Sequence, residues 1–355
     1  MNEDSVRPAI KGLKEYVPGK NPDRAGVIKL ASNENPMGAS PKAIKAMETC
    51  FKDLPVYPDQ HSTRLKQALA NKFSLSPDNF IIGNGSDEVM QFVAATYLSA
   101  GEEVILPKNV FSTYEFVTLL FDGVAKFVDL KDYKQDLNDF AQNITPKTKL
   151  VFICNPVNPT GTMVGKAELD GFLSKAPKNV IVVLDEAYCE YGESADFPDS
   201  LKYVNERENV VVLRTFSKLY GLAGIRVGYG VAHPRTIKYL SMTKMPFNVN
   251  RLAEAGAVAA LDDSKHVEQT LKTNKEGKAY LYKELEALGI EFIKTEANFI
   301  FVNIKNNADD LFLKMMGEKI IIRPLTSFGF PQAFRVSIGT MEQNKKFISA
   351  LKKVI

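Results

Sequence analysis

Short apolar runs recur along the first two thirds of the chain, at residues 80–83, 103–106, 125–129, 149–153, 179–184, 209–213 and 226–231. They are continuous rather than alternating, the pattern of strands covered on both faces. Between them lie segments with apolar positions at helical spacing, such as Val89, Phe92, Val93 and Tyr97. Repetition of strand, helix and strand predicts an α/β fold on a large, doubly wound, mainly parallel sheet. Ligands of such sheets sit outside the carboxyl ends of the strands. Ahead of the first run, Ser40-Pro41 predicts the start of a helix reaching about Phe51, and a second helix begins near Ser62. Near Met245-Pro246-Phe247-Asn248 the pattern changes. Helices are expected at about 250–262, 265–288, 308–316 and 341–353, with strands near 298–303, 320–323 and 333–338, a smaller α+β unit. The expected division is an arm over 1–35 packing with the small domain, a large domain over 36–247 and a small C-terminal domain over 248–355.

Composition narrows the function without supplying one. Lys plus Arg number 45 against 42 for Asp plus Glu, which gives no reason to expect nucleic acid or an anionic membrane as partner. No apolar run approaches the roughly 18 residues of a membrane span. The N-terminus is polar, with Glu3 and Asp4, unlike a signal or transit peptide. Cys50, Cys154 and Cys189 lack the spacing of a disulfide framework or of C-x-x-C. A cytoplasmic, reducing setting is expected. His61, His233 and His266 are far apart, so no metal site is expected.

The candidate chemistry gathers where apolar runs end. Asn209-Val-Val-Val-Leu213 leads into Arg214-Thr-Phe-Ser-Lys218, placing a lysine at a strand exit where desolvation makes an amine nucleophilic towards an aldehyde. Thr215, Ser217 and Arg226 suit a phosphate ester on that aldehyde, and together they suggest pyridoxal 5′-phosphate. Ile81-Ile-Gly-Asn-Gly-Ser-Asp-Glu88 runs from a strand through glycines into a helix, so Ser86 and Asp87 stand where free N–H groups attract an anion; simple helix capping is compatible with this. Asp185 directly follows five apolar residues and requires a cationic partner, such as the protonated pyridine nitrogen. Tyr188 and the Asn158 amide could meet the ring's phenolic oxygen, although Asn-Pro-Val-Asn-Pro is equally a good turn. Arg323 and Arg335 each occupy an apolar strand position, where a guanidinium wants an anion; a structural ion pair is the alternative for Arg323.

With Asn-Pro-Val-Asn-Pro-Thr-Gly at 155–161, Asp-Glu-Ala-Tyr at 185–188 and Ser-Lys-Leu-Tyr-Gly-Leu-Ala-Gly-Ile-Arg at 217–226, the chain resembles the fold-type I, class I/II aminotransferases over nearly its whole length. Within them it looks most like the histidinol-phosphate aminotransferase branch. The resemblance implies pyridoxal phosphate as cofactor, Lys218 as its Schiff-base lysine, Asp185 as pyridinium partner, and Asn158 and Tyr188 as phenolate partners. It implies phosphate contacts from Gly85, Ser86, Asp87, Ser217 and Arg226, and an aromatic group, Tyr114, beside the ring. It further implies a homodimer with shared active sites, in which Tyr57 reaches the other subunit's phosphate. Arg335 becomes the clamp for the substrate's anion, with Arg323, Tyr16 and Asn33 as additional contacts. The implied reaction is ping-pong transamination of L-histidinol phosphate with 2-oxoglutarate, a step of histidine biosynthesis. Aromatic amino acid aminotransferases and threonine-phosphate decarboxylases share much of the pattern. A regulator on the same body would need an added DNA-binding module, for which the residues before the first sheet strand, already read as arm and helices, offer no candidate.

Overall fold

All but one of the apolar runs become strands whose side chains are taken up alternately by two cores; the run at 125–129 forms an edge strand with Val124 and Phe127 exposed. The computed structural model describes residues 3–13 and 26–355. In chain order, α1 (Pro8–Lys11) and β1 (Ile28–Lys29) precede α2 (Pro41–Thr49), α3 (Thr63–Phe73), β2 (Phe80–Gly83) and α4 (Ser86–Tyr97). Next come β3 (Glu103–Pro107), α5 (Thr113–Leu120), β4 (Val124–Val128), α6 (Leu137–Gln142), β5 (Thr148–Cys154) and α7 (Lys166–Lys175). Strands β6 (Ile181–Asp185), β7 (Val210–Thr215) and β8 (Gly228–Ala232) and helix α8 (Pro234–Met242) follow. The seven strands are ordered β2-β8-β7-β6-β5-β3-β4, parallel except for β8, which is antiparallel to both its neighbours.

Val182, Leu184, Val210 and Val212 enter one core with α3 and α7, whereas Ile181, Val183, Val211 and Leu213 enter the other with α4, α5 and α8. Burying each such side chain contributes roughly 1.5–3 kcal/mol. The period of two persists at the strand exits. It turns Asp185 towards Tyr114 on α5 and Glu186 to the opposite face, where it pairs with Arg214.

The rest of the chain comprises α9 (Arg251–Leu261), α10 (Ser264–Ala287), β9 (Glu291–Phe292), β10 (Phe299–Asn303), α11 (Ala308–Gly317), β11 (Ile320–Ile321), β12 (Arg323–Leu325), β13 (Phe330–Ser337) and α12 (Met341–Val354). A four-stranded antiparallel sheet, β12-β13-β10-β9, carries the small core with α11, α12 and the end of α10. The single strand expected near 320–323 is two short ones. Ile320–Ile321 pairs with β1 in parallel, and after Ile322 the chain changes partner to run beside β13. Pro324, which lacks an N–H, is accommodated because β12 is an edge strand.

Packing does not break at residue 247. Ala253, Ala257 and Ala260 of α9 belong to the large core, and α10 passes from that core at Val267 and Leu271 to the small one at Leu281 and Leu285. The arm also divides. Arg7 bonds to the Leu120 carbonyl and to Asp122 beyond α5, whereas Ile28–Lys29 joins β11. From there Leu30 is held between the Ile321 carbonyl and the Ser337 N–H, and residues 31–35 run from the small sheet to the exit of β7.

Candidate active site

The exits of β5, β6 and β7, the start of α4 and the strip 31–35 converge. Asp185 is buried; its Oδ2 accepts from the Tyr114 hydroxyl at 2.6 Å and its Oδ1 from the Ala187 N–H at 3.2 Å. Burial pushes its carboxyl up to about 6, against the pull of the Tyr114 hydrogen bond. Lys218, partly buried on the turn after β7, donates to the Ser32 carbonyl at 3.1 Å and lies 5.6 Å from the centre of the Tyr188 ring. Desolvation, aided by the nearby Arg335 charge, lowers its amine to about 8. Both Asp185 and Lys218 lie within electrostatic reach of Asp87. Tyr188 is buried and accepts from the Asn33 amide at 3.0 Å; burial pushes its phenol up to about 12.

The loop before α4 forms a cup. Gly85 has φ +79°, and α4 begins without a side-chain cap, so its first N–H groups are open to an anion. A Cβ on Gly85 would lie 2.6 Å from the Arg226 guanidinium, and one on Gly228 only 2.4 Å from the Ser86 nitrogen. Arg226, itself left-handed at φ +57°, reaches the Asp87 carboxylate at 3.2 Å. Ser217, next to Lys218 in sequence, is buried, its N–H donating to Thr215 Oγ1 at 3.1 Å. Glu88 ties the loop to the start of α9, accepting from the Asn84 N–H at 2.7 Å and the Asn248 amide at 2.6 Å. Gly85→Ala is expected to cost ~1–3 kcal/mol in thermal unfolding, since it meets both the unfavourable φ and the guanidinium. Gly171→Ala, in the open interior of α7, should be neutral or stabilising.

The small domain supplies two cations. Arg335 on β13 is buried, bonds to Asn158 Oδ1 and to the Ala31 carbonyl at 2.8 Å, and lies 5.2 Å from the Phe299 ring centre. Arg323 stands directly opposite it on β12, its guanidinium 6.0 Å from the Phe328 ring. Like charges opposed across a ladder are unfavourable unless an anion joins them.

Most of the candidates read from sequence are thus brought together: Lys218, Asp185, Tyr188, Asn158, Tyr114, the cup residues Gly85, Ser86, Asp87, Ser217 and Arg226, and Arg335 with Arg323. Asn33 is turned inward, engaged with Tyr188 and Ser337. Tyr57 lies apart, 75% exposed and stacked on Phe247 with ring centres 4.6 Å apart. Tyr16 lies outside the described residues. Sequence reasoning missed the Ser32 carbonyl, which no side-chain pattern signals, and Asn35, whose amide holds the Leu219 carbonyl at 2.8 Å. It also missed the buried pair of Glu186 and Arg214 at 2.8 Å, for which the signal was charge next to apolar runs on adjacent strands.

Comparison with known proteins agrees with this fold. The family described as aminotransferase class I and II matches residues 25–351. The chain is 47% identical over 357 residues to the histidinol-phosphate aminotransferase of Moorella thermoacetica, covering 98% of this chain and 92% of that protein. It is 43% identical over 358 residues to histidinol-phosphate aminotransferase 2 of Carboxydothermus hydrogenoformans, covering 99% of each. The solved histidinol-phosphate aminotransferase of Sinorhizobium meliloti, in complex with pyridoxal-5′-phosphate, superposes with a TM-score of 0.91 at 26% identity, covering 99% of this chain and 97% of that one.

Proposed function

The chain belongs to the class I and II aminotransferases, and from that premise we propose that it binds pyridoxal 5′-phosphate at Lys218 and transfers the amino group of L-histidinol phosphate to 2-oxoglutarate. The products are imidazole-acetol phosphate and glutamate. The residues present fit the cofactor. Gly85 and Gly228 leave the cup's backbone free of a Cβ that would strike Arg226 and the Ser86 nitrogen, the buried Asp185 carboxylate wants a cation, and the Lys218 amine is desolvated. When bound, the cofactor supplies an electron sink for the bond broken at the substrate's α-carbon.

The chain's own groups would do the rest. Asp185 would hold the protonated pyridine nitrogen. The Tyr188 hydroxyl, and the Asn158 amide N–H that remains when Oδ1 is engaged by Arg335, would face the phenolic oxygen. The phosphate would rest on the N–H groups of Ser86 and Asp87 and on Ser217 and Arg226, with the Asp87 carboxylate orienting the guanidinium. Lys218, once released, would take the α-proton as general base and deliver it to the carbon of the cofactor's former aldehyde group. The opposed Arg323 and Arg335 are the observation that carries the substrate assignment. They would hold the donor's phosphate and then the acceptor's carboxylate in turn, which makes the exchange ping-pong.

A homodimer belongs to this reading. Phe51, Leu54, Val56, Tyr57, Tyr239, Met242, Met245 and Phe247 are exposed large apolar residues on segments around the Tyr57 and Phe247 stack. A second copy covering this ridge would receive Tyr57 at its phosphate cup. The protein is expected to sediment as a dimer, and Leu54→Asp with Met245→Asp to shift it towards monomer with loss of bound cofactor. A monomeric parent protein that retains full cofactor would refute the shared site. No helix of the described residues is long and apolar enough to cross a membrane. The unpaired Cys50, Cys154 and Cys189 support a reducing, cytoplasmic setting.

The deciding experiment compares L-histidinol phosphate, phenylalanine, tyrosine and O-phosphothreonine as donors to 2-oxoglutarate. Histidinol phosphate should give the highest kcat/KM. Preference for the aromatic amino acids, or carbon dioxide release from O-phosphothreonine, would replace the substrate assignment.

A further inference from the structure

Tyr114 entered as an aromatic ring beside the cofactor, yet its hydroxyl is the feature the structure singles out. The side chain is 1% exposed. Its ring stacks on Phe152 with centroids 5.0 Å apart and meets Phe111 edge-on at 5.7 Å. Fixed from two sides, the phenol aims its proton at Asp185 Oδ2, 2.6 Å away. The other carboxylate oxygen takes the Ala187 N–H. An ionised carboxylate has about four acceptor positions, so a ligand N–H can still be served.

The groups around Asp185 come from every neighbouring element. Tyr114 on α5, Cys154 on β5 and Tyr188 beyond β6 are held neutral, as burial raises all three well above neutral pH. Asp87 at the start of α4 and the adjacent Glu186 are acids that oppose ionisation of Asp185, each facing its own arginine. The Cys154 thiol is directed to the Pro156 carbonyl instead. Among the described residues, Tyr114 is therefore the side chain whose donated proton favours the charged form of Asp185.

We propose that Tyr114 is a positioning residue for Asp185, its O–H keeping that carboxylate ionised and aimed, so that this hydrogen bond sets the acid limit of cofactor retention. The proposal rests on the cofactor reading above. The sign follows from the charges. The ionised carboxylate is the form that pairs with a protonated pyridine nitrogen, and burial already lifts Asp185 to about 6 with the phenol in place. Affinity must then fall as pH drops through that value, and removing the donor must move the fall to higher pH.

Tyr114→Phe keeps the ring and its packing and deletes only the donor. Binding of pyridoxal phosphate to the cofactor-free full-length protein is measured from pH 5 to 9 for both proteins, with a melting curve at each pH. The two should bind alike at pH 9 and diverge on acidification. The variant's midpoint should lie about one unit higher, giving a ~5-fold weaker Kd at pH 6 that approaches ~10-fold at pH 5. Identical profiles, or a loss equal at every pH, would overturn the proposal. Titration of ¹³C-labelled aspartate carboxyls in the cofactor-free protein gives a second readout. Asp185, assigned by Asp185→Asn, should titrate near 6 in the parent and higher in Tyr114→Phe, and an unmoved midpoint overturns the proposal even if neither protein takes up cofactor. Failure to bind pyridoxal phosphate at any pH would instead refute the function proposed above.

Discussion

Lys218→Ala is expected to reduce turnover by at least about a thousandfold, the scale on which removing a group that serves as both nucleophile and base is felt. The reason is positional. Lys218 stands on the turn after β7, its amine lowered to about 8 by burial and by Arg335, and it rests on the Ser32 carbonyl. Lys66 and Lys244 are also lowered by burial, but the acids acting on them are Asp59 with Asp78 for Lys66 and Glu254, Glu88 and Asp59 for Lys244, not Asp87. Borohydride treatment of the loaded protein should fix the cofactor on the peptide containing Lys218, and on no peptide of the variant. A purified variant that keeps more than about a thousandth of the activity would remove Lys218 from the chemistry.

Arg335→Leu should lower kcat/KM by ~10²–10³-fold for histidinol phosphate and 2-oxoglutarate alike, the effect of deleting a buried partner of a bound anion. Part of the loss reflects groups inside the protein, since Asn158 Oδ1 and the Ala31 carbonyl lose their donor. Arg335→Lys separates the two contributions, as it restores the charge but not the planar fork. Arg323→Leu should cost less, because its side chain is only partly buried and lies over Phe328 at the edge of the sheet. An Arg335→Leu variant impaired with one substrate and unimpaired with the other would show that the two do not share the clamp.

Much of the large sheet was legible because its strands other than the partly exposed edge strand β4 are buried on both faces, so that near-continuous apolar runs could be nothing else in a chain of alternating elements. The exits were legible for the same reason. A carboxylate after Val180–Leu184 and a lysine beyond Val210–Leu213 are costly where they stand, and the cost marks them. Glycines at 83 and 85 similarly announced a backbone cup. The small domain was less plain. The run at 320–323 concealed a change of partner at Ile322, because local hydrophobicity is the same whichever strand lies alongside.

The sequence by itself determined the alternation of strands and helices and the residue types collected at the strand ends, both of which depend on neighbours within a few positions. Only the tertiary structure decided that Asn33 would cross to Tyr188, that Arg323 would be set against Arg335, that α9 would join the large core, and that the Tyr114 hydroxyl would meet Asp185. Those pairings join segments far apart in the chain. They are fixed by strand register and by the packing of helices over the sheet, which periodicity along one segment does not encode.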